Sequence, residues 1–125
     1  MQKQRPVFLN LLLIKLPLSG VVSIMHRISG LLLFMLIPGS LLLLQRSLSS
    51  PESFQSVLFT DSTGMVVKFL VIFSLAGLAL HFFAGIRCLL IDLHWGVSLP
   101  QARTSAKLVL GLSLLSLIAT GVWLW

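Results

Sequence analysis

The stretch MVVKFLVIFSLAGLALHFFAGIRCLLID, residues 65–92, decides the fold of this chain. It is apolar over most of its length and is longer than the roughly 20 residues that an α-helix needs to cross the hydrocarbon core of a bilayer. Its polar side chains include one histidine, His81, well inside the apolar run. We therefore predict a transmembrane helix over residues 65–90.

Two further apolar stretches flank this segment. VVSIMHRISGLLLFMLIPGSLLLL predicts a span over residues 21–44, and LVLGLSLLSLIATGVWLW predicts one that ends the chain, over residues 106–125. The serine-rich residues 45–64 are expected to form an extramembrane loop. Residues 1–20 are expected on the cytoplasmic side or at the membrane interface. The predicted fold is an all-α membrane protein, in which residues 21–125 form a three-helix anchor within a heteromeric helix bundle.

The composition excludes a soluble domain. Hydrophobic residues make up 57% of the 125 residues and charged residues only 10%, whereas about a quarter of a soluble protein is charged. A soluble fold of this size cannot hide so much apolar surface, so the lipid bilayer is the expected solvent. The formal net charge of +6 comes from basic residues at the ends of apolar stretches. This placement fits lipid headgroups and argues against nucleic acid as a partner.

Most of the basic residues lie on one side of the predicted helices. Those near the N-terminus and beside the second connection are Lys3, Arg5, Lys15, Arg27, Arg87, Arg103 and Lys107. Only Arg46 and Lys68 flank the first connection. By the positive-inside rule, the N-terminus and the second connection are expected on the cytoplasmic side, or the equivalent matrix side, and the C-terminus on the opposite side. In a bacterial inner membrane the C-terminus would then lie in the periplasm.

His81 is the first candidate for chemistry, because ionisable groups inside a membrane are costly and usually functional. A neutral imidazole there can bind haem iron, relay protons or hydrogen-bond a carbonyl of another helix. Gly85 lies one turn away on the same face, where it leaves room for a flat macrocycle or for a close helix crossing. Arg87 lies further along, within reach of a haem propionate. Together these residues favour a haem.

The other histidines limit how such a haem would be held. A low-spin haem needs two axial ligands, and both His26 and His94 are expected near the cytoplasmic surface, out of reach of an iron at His81. The second ligand would then come from a different polypeptide.

A second cluster opens the first span. Ser23, His26 and Arg27 share one helical face. A hydroxyl, an imidazole and a guanidinium near the interface can bind a carbonyl headgroup while apolar walls hold its tail, which describes a quinone site. The alternative is that Arg27 reaches the lipid headgroups and Ser23 bonds its own helix backbone. Asp92, at the cytoplasmic end of the second span, is a candidate for an interfacial ion pair or a proton path.

These residues resemble the cytochrome b membrane-anchor subunits of succinate dehydrogenase, respiratory complex II, over most of the chain. The motifs that carry the resemblance are RPVFLNLLLIKLP at 5–17, SIMHRISG at 23–30, SLSSPESF at 47–54 and HFFAGIRCLLID at 81–92.

The resemblance implies a role for each matching residue. His81 would be an axial ligand of haem b, shared with a second anchor subunit. Ser23 and Arg27 would lie in the ubiquinone pocket, and His26 and Arg27 near the haem propionates. The chain would anchor a flavoprotein subunit, which oxidises succinate, and an iron-sulfur subunit, which carries the electrons to the membrane. No succinate chemistry would occur on this chain itself.

One departure concerns Cys88, the single cysteine, which stands where the family usually has histidine after Gly-Ile-Arg. The haem ligand is unaffected, but a hydrogen bond or proton path that this histidine supports would be lost, and His94 is a candidate replacement. The alternatives are a fumarate reductase anchor, which need not hold haem, and a haem-free structural or assembly protein. A small transporter would show paired polar breaks near the midplane, and the sequence has none.

Overall fold

Three long helices dominate the structure, a computed structural model that describes residues 16–59 and 61–125, with side chains for 16–57 and 64–125. The helices are α1 (Leu18–Ser47), α2 (Pro51–Phe59), α3 (Asp61–Asp92) and α4 (Leu99–Leu124). α1, α4 and the Gly64–Asp92 part of α3 are each long and apolar enough to cross a membrane. No strand occurs in the described ranges. The predicted all-α fold with three membrane-spanning helices is confirmed.

The long helices extend beyond the predicted spans. α1 begins directly after Pro17, whose carbonyl accepts from the Gly20 N–H at 2.8 Å. α4 begins at Leu99, well before residue 106, because Ser98 and Pro100 form a helix start. Most of the predicted N-terminal segment lies outside the described residues, together with three of its basic residues, Lys3, Arg5 and Lys15.

The predicted loop between the first two spans contains a helix, α2, that was not predicted from the serine-rich composition. Ser50 caps it, since its hydroxyl oxygen accepts from the Ser53 N–H at 3.1 Å. Pro51 occupies the first helical position and Glu52 follows in the first turn. Hydrogen bonds from its own backbone N–H and from the Ser50 hydroxyl lower the pKa of Glu52. The Ser-Pro-Glu sequence is thus a helix start, and reading the serines only as loop residues was wrong.

The long helices pack most closely at the end where α1 begins, α3 ends and α4 begins. Val22, Ala84, Ala106 and Val109 are buried there, at 0% to 4% exposure. Such small side chains let helix backbones approach closely. Val22 lies near the start of α1 and Ala84 near the end of α3. Because these two residues pack in one cluster, α1 and α3 run antiparallel, and residues early in α1 lie beside residues late in α3.

A tight turn joins α3 to α4. The His94 N–H donates to the Ile91 carbonyl and the Trp95 N–H to the Leu90 carbonyl, both at 2.9 Å, which is the Schellman pattern of helix ends. His94 has a φ of 62°, a left-handed conformation that this motif usually gives to glycine. His94 therefore lies on the turn, outside the helix.

Candidate functional site

His81 packs against the backbone of α1. Its Nδ1 lies 3.1 Å from the His26 carbonyl oxygen and 3.3 Å from the Ser29 Oγ. A carbonyl oxygen can only accept, so this contact is a hydrogen bond when Nδ1 carries the proton. The lone pair is then on Nε2, which bonds no other described residue. A carbonyl partner on one ring nitrogen is the usual arrangement for a histidine whose other nitrogen binds a metal.

His26 lies beside His81, and the prediction that the two histidines are far apart was wrong. The two imidazole rings stack with centroids 4.2 Å apart and an interplanar angle of 29°. The prediction failed because it took no account of how α1 and α3 pack against each other, which brings His26 level with His81. Two imidazoles that both bind one iron would have to point their ring nitrogens at it from different sides. Rings stacked face to face cannot do this, so His26 is not the second ligand in this arrangement.

Each histidine ring lies over a glycine of the opposite helix. A Cβ added to Gly30 would stand 2.8 Å from the His81 Cε1 and 3.2 Å from its Nδ1, and a Cβ added to Gly85 would stand 3.5 Å from the His26 Nε2. Gly85 was predicted to leave room for a macrocycle, but the ring next to it is His26. The sequence reasoning gave Gly30 no role, although the pattern His-x-x-x-Gly occurs in both HRISG and HFFAG.

An open groove of about 580 Å³ runs along α1 and α3 beside His81. Its other lining residues are Gly30, Leu33, Phe34, Leu36, Ile37, Ser40, Leu41, Ser74, Leu75 and Leu78. None of them belongs to α4, which packs on another side of the pair. Phe34 is 66% exposed and Leu78 51% exposed. His81 therefore faces an apolar groove that the described part of this chain leaves uncovered.

Ser23 and Arg27 extend the same face of α1 towards its start. Gly30 follows Ser23 by seven residues and Phe34 follows Arg27 by seven, a spacing that keeps residues on one side of a helix. Ser23 is half-buried and Arg27 is exposed. Neither side chain has a hydrogen-bond partner among the described residues, so Ser23 does not bond its own helix, unlike Ser40, whose Oγ donates to the Leu36 carbonyl at 2.8 Å.

The Arg87 side chain does not lie beside His81. It is 6% exposed, and its Nε donates to the Ser105 Oγ at 3.1 Å and its Nη2 to the Ala102 carbonyl at 3.5 Å. Six residues at 3.6 per turn place it about 240° round the helix from His81. The structure thus gives Arg87 a role in holding α4 against α3, and its place beside a haem propionate stays a prediction.

The remaining candidates lie around the end of α3. Asp92 is exposed and forms no ion pair with any residue of the described ranges, so the expected interfacial pair is not formed there. Cys88 is half-buried and follows His81 by seven residues, on the same face. His94 lies on the turn beyond α3.

Comparison with known proteins identifies the family. The family model described as succinate dehydrogenase/fumarate reductase transmembrane subunit matches residues 1–120. The succinate dehydrogenase cytochrome b556 subunit of Coxiella burnetii is 38% identical to this chain over 125 residues, which cover 100% of both proteins. The chain therefore belongs to the family of succinate dehydrogenase/fumarate reductase transmembrane subunits.

Proposed function

We propose that this chain is the cytochrome b membrane-anchor subunit of a succinate dehydrogenase, which holds haem b jointly with a second anchor subunit and contributes to the site of ubiquinone reduction. The observation that carries the proposal is the geometry of His81, whose Nδ1 is bonded to the His26 carbonyl and whose ring borders an open apolar groove. The family also includes fumarate reductase anchors. The name of the full-length relative, a succinate dehydrogenase cytochrome b subunit, favours the haem-holding succinate dehydrogenase.

The residues beside the groove fit a haem. His81 offers a neutral imidazole nitrogen for the iron, and the apolar lining from α1 and α3 suits the macrocycle. Arg27 and His26, towards the start of α1, are the candidates for the propionates. The haem would supply a one-electron redox centre between the iron-sulfur subunit and the quinone.

The second axial ligand would come from the partner anchor subunit. Stacking removes His26 as a candidate, and His94 lies on the turn after α3. α4 does not reach the groove, so its exposed apolar residues leave room for a helix of another chain to pack there. That helix is well placed to carry the opposing ligand.

Ser23 and Arg27 are the proposed quinone-binding groups. The Ser23 hydroxyl can donate to one carbonyl oxygen of ubiquinone, and the Arg27 guanidinium can donate to the same oxygen or to the ring's other polar substituents. The positive charge of Arg27 would stabilise the negative charge that develops on the oxygen as electrons arrive from the iron-sulfur subunit. Exposed Asp92, at the same end of the bundle, is a candidate for passing protons to this site.

Isolation of the complex tests the function. When this chain is tagged and purified from membranes in a mild detergent, we expect a flavoprotein, an iron-sulfur protein and a second small membrane protein to copurify. The preparation should reduce a ubiquinone analogue with electrons from succinate. Purification of the chain without a flavoprotein, or with one that only reduces fumarate, would contradict the proposal.

The charges also predict the orientation of the helices. Arg87, Arg103 and Lys107 lie at the end of the bundle where α1 begins, while Arg46 and Lys68 lie at the other end. An alkaline phosphatase fused after Trp125 should therefore be active in the periplasm, and the same enzyme inserted after Gly96 should be inactive. The reverse pattern would show that the chain is inserted the other way round.

A further inference from the structure

We propose that Ser29 and Gly30 are positioning residues for His81. Gly30 determines where the imidazole ring lies, and Ser29 acts with the His26 carbonyl to determine which ring nitrogen carries the proton. This inference rests on the proposed function of His81 as a haem ligand, and assigns the support of that ligand to a short segment of α1.

Gly30 acts on the His81 ring through steric contact. The three atoms nearest to a Cβ built on Gly30 all belong to the His81 ring, at 2.8, 3.2 and 3.8 Å. A contact of 2.8 Å is shorter than real Cβ atoms make, and an imidazole is a rigid ring that cannot bend out of the way. Any side chain at residue 30 would therefore push the ring away from α1 and turn it relative to the groove.

Ser29 acts on His81 through hydrogen bonding. Ser29 is 4% exposed, and its Oγ donates to the His26 carbonyl at 2.8 Å while lying 3.3 Å from the His81 Nδ1. If the proton were on Nε2, the Nδ1 lone pair would face the carbonyl oxygen across 3.1 Å, with two acceptors in contact. The carbonyl and the Ser29 lone pairs thus favour the tautomer in which Nδ1 carries the proton and Nε2 is free.

Gly85 provides a matched control. Gly85 of α3 lies against the His26 ring of α1, just as Gly30 of α1 lies against the His81 ring of α3. Each glycine is the last residue of a His-x-x-x-Gly pattern. A Cβ on Gly85 would meet the His26 ring at 3.5 Å, an ordinary van der Waals distance. The same substitution at the two glycines is therefore expected to have different effects.

The first experiment compares Gly30→Ala with Gly85→Ala in the complete complex, purified through its soluble subunits. The readouts are the amount of haem per complex and the low-spin signals of oxidised haem in electron paramagnetic resonance. We expect Gly30→Ala to lose at least half of the haem or to shift the low-spin signals, and Gly85→Ala to have a clearly smaller effect on both readouts. Equal behaviour of the two variants would overturn the role of Gly30.

A double variant covers the case in which Gly30→Ala prevents assembly. If the only clash is with the His81 ring, Gly30→Ala should not lower assembly or thermal stability further when His81 is already alanine. An equally large loss in that background would mean that Gly30 serves helix packing alone, and the inference would be overturned.

Ser29 is tested with Ser29→Ala and Ser29→Thr. An acceptor at Nδ1 makes the imidazole a stronger ligand for oxidised iron, so Ser29→Ala should move the midpoint potential of the haem to a more positive value. Ser29→Thr keeps the hydroxyl and should restore the wild-type potential. An unchanged potential in Ser29→Ala, or an equal shift in Ser29→Ala and Ser29→Thr, would overturn the role of Ser29.

His81→Ala, measured in the same series, separates this inference from the proposed function. If His81→Ala keeps a normal low-spin haem, the ligand assignment fails and the positioning inference fails with it. If His81→Ala loses the haem while Gly30→Ala and Ser29→Ala match the wild type, the ligand assignment stands and only the positioning inference is overturned.

Discussion

Replacing His81 with alanine is expected to remove the low-spin b-type spectrum of the assembled complex, because no other described side chain offers a free imidazole nitrogen at the same place in the groove. His26 stacks against the ring that would be lost, and its backbone carbonyl cannot replace an imidazole as an iron ligand. The measurement is the reduced-minus-oxidised visible spectrum per mole of complex. Quinone reduction should be affected less than the spectrum, since Ser23 and Arg27 remain intact.

His94→Ala is the matched control for this variant. It also removes a histidine, but one on the turn after α3, and its spectrum should equal that of the wild type. A normal spectrum in His81→Ala, or its loss only in His94→Ala, would mean that the haem ligand has been assigned to the wrong residue.

Replacing Ser23 or Arg27 with alanine is expected to lower succinate-dependent ubiquinone reduction several-fold or more. Loss of one neutral hydrogen bond costs about 1 kcal/mol, which corresponds to roughly a five-fold change, and bonds to a charged group are worth more. Arg27→Ala should therefore have the larger effect, and it should also alter the haem spectrum if Arg27 contacts a propionate. Succinate oxidation with a soluble electron acceptor should be unchanged, since that reaction does not pass through this chain.

Two variants control for general damage to α1. Ser40→Ala removes a hydroxyl from the same helix that already donates to the Leu36 carbonyl, and it should leave quinone reduction unchanged. Arg27→Lys keeps the positive charge but loses the planar donor pair, and it should be intermediate. Wild-type rates in both Ser23→Ala and Arg27→Ala would contradict the pocket and support the interpretation that Arg27 only contacts lipid headgroups.

The three spans could be predicted from the sequence because hydrophobic length is a local property that the bilayer imposes directly. The helix α2 was missed because the serines of its segment were interpreted from composition, while the start signal at Ser50, Pro51 and Glu52 was not used. The residues at which α1 and α4 begin could also not be predicted exactly from the sequence.

The site was predictable only where its residues share one helix. Ser23 and Arg27 could be paired from their spacing, and His81 stood out by its depth within an apolar run. The contacts between helices could not be found in this way, because they depend on how α1 and α3 are rotated and shifted against each other. This packing places Gly30 against the His81 ring. It also directs the Arg87 side chain towards α4.

The central claim is that this chain supplies one ligand of a haem b whose other ligand comes from a partner subunit. The most direct test is the reduced-minus-oxidised visible spectrum of this chain, purified once with its partner anchor subunit and once after expression without it. We predict a low-spin b-type spectrum, with one haem per copy of this chain, only in the preparation that contains the partner. A full low-spin spectrum from the chain alone, or no haem in the complete complex, would contradict the claim.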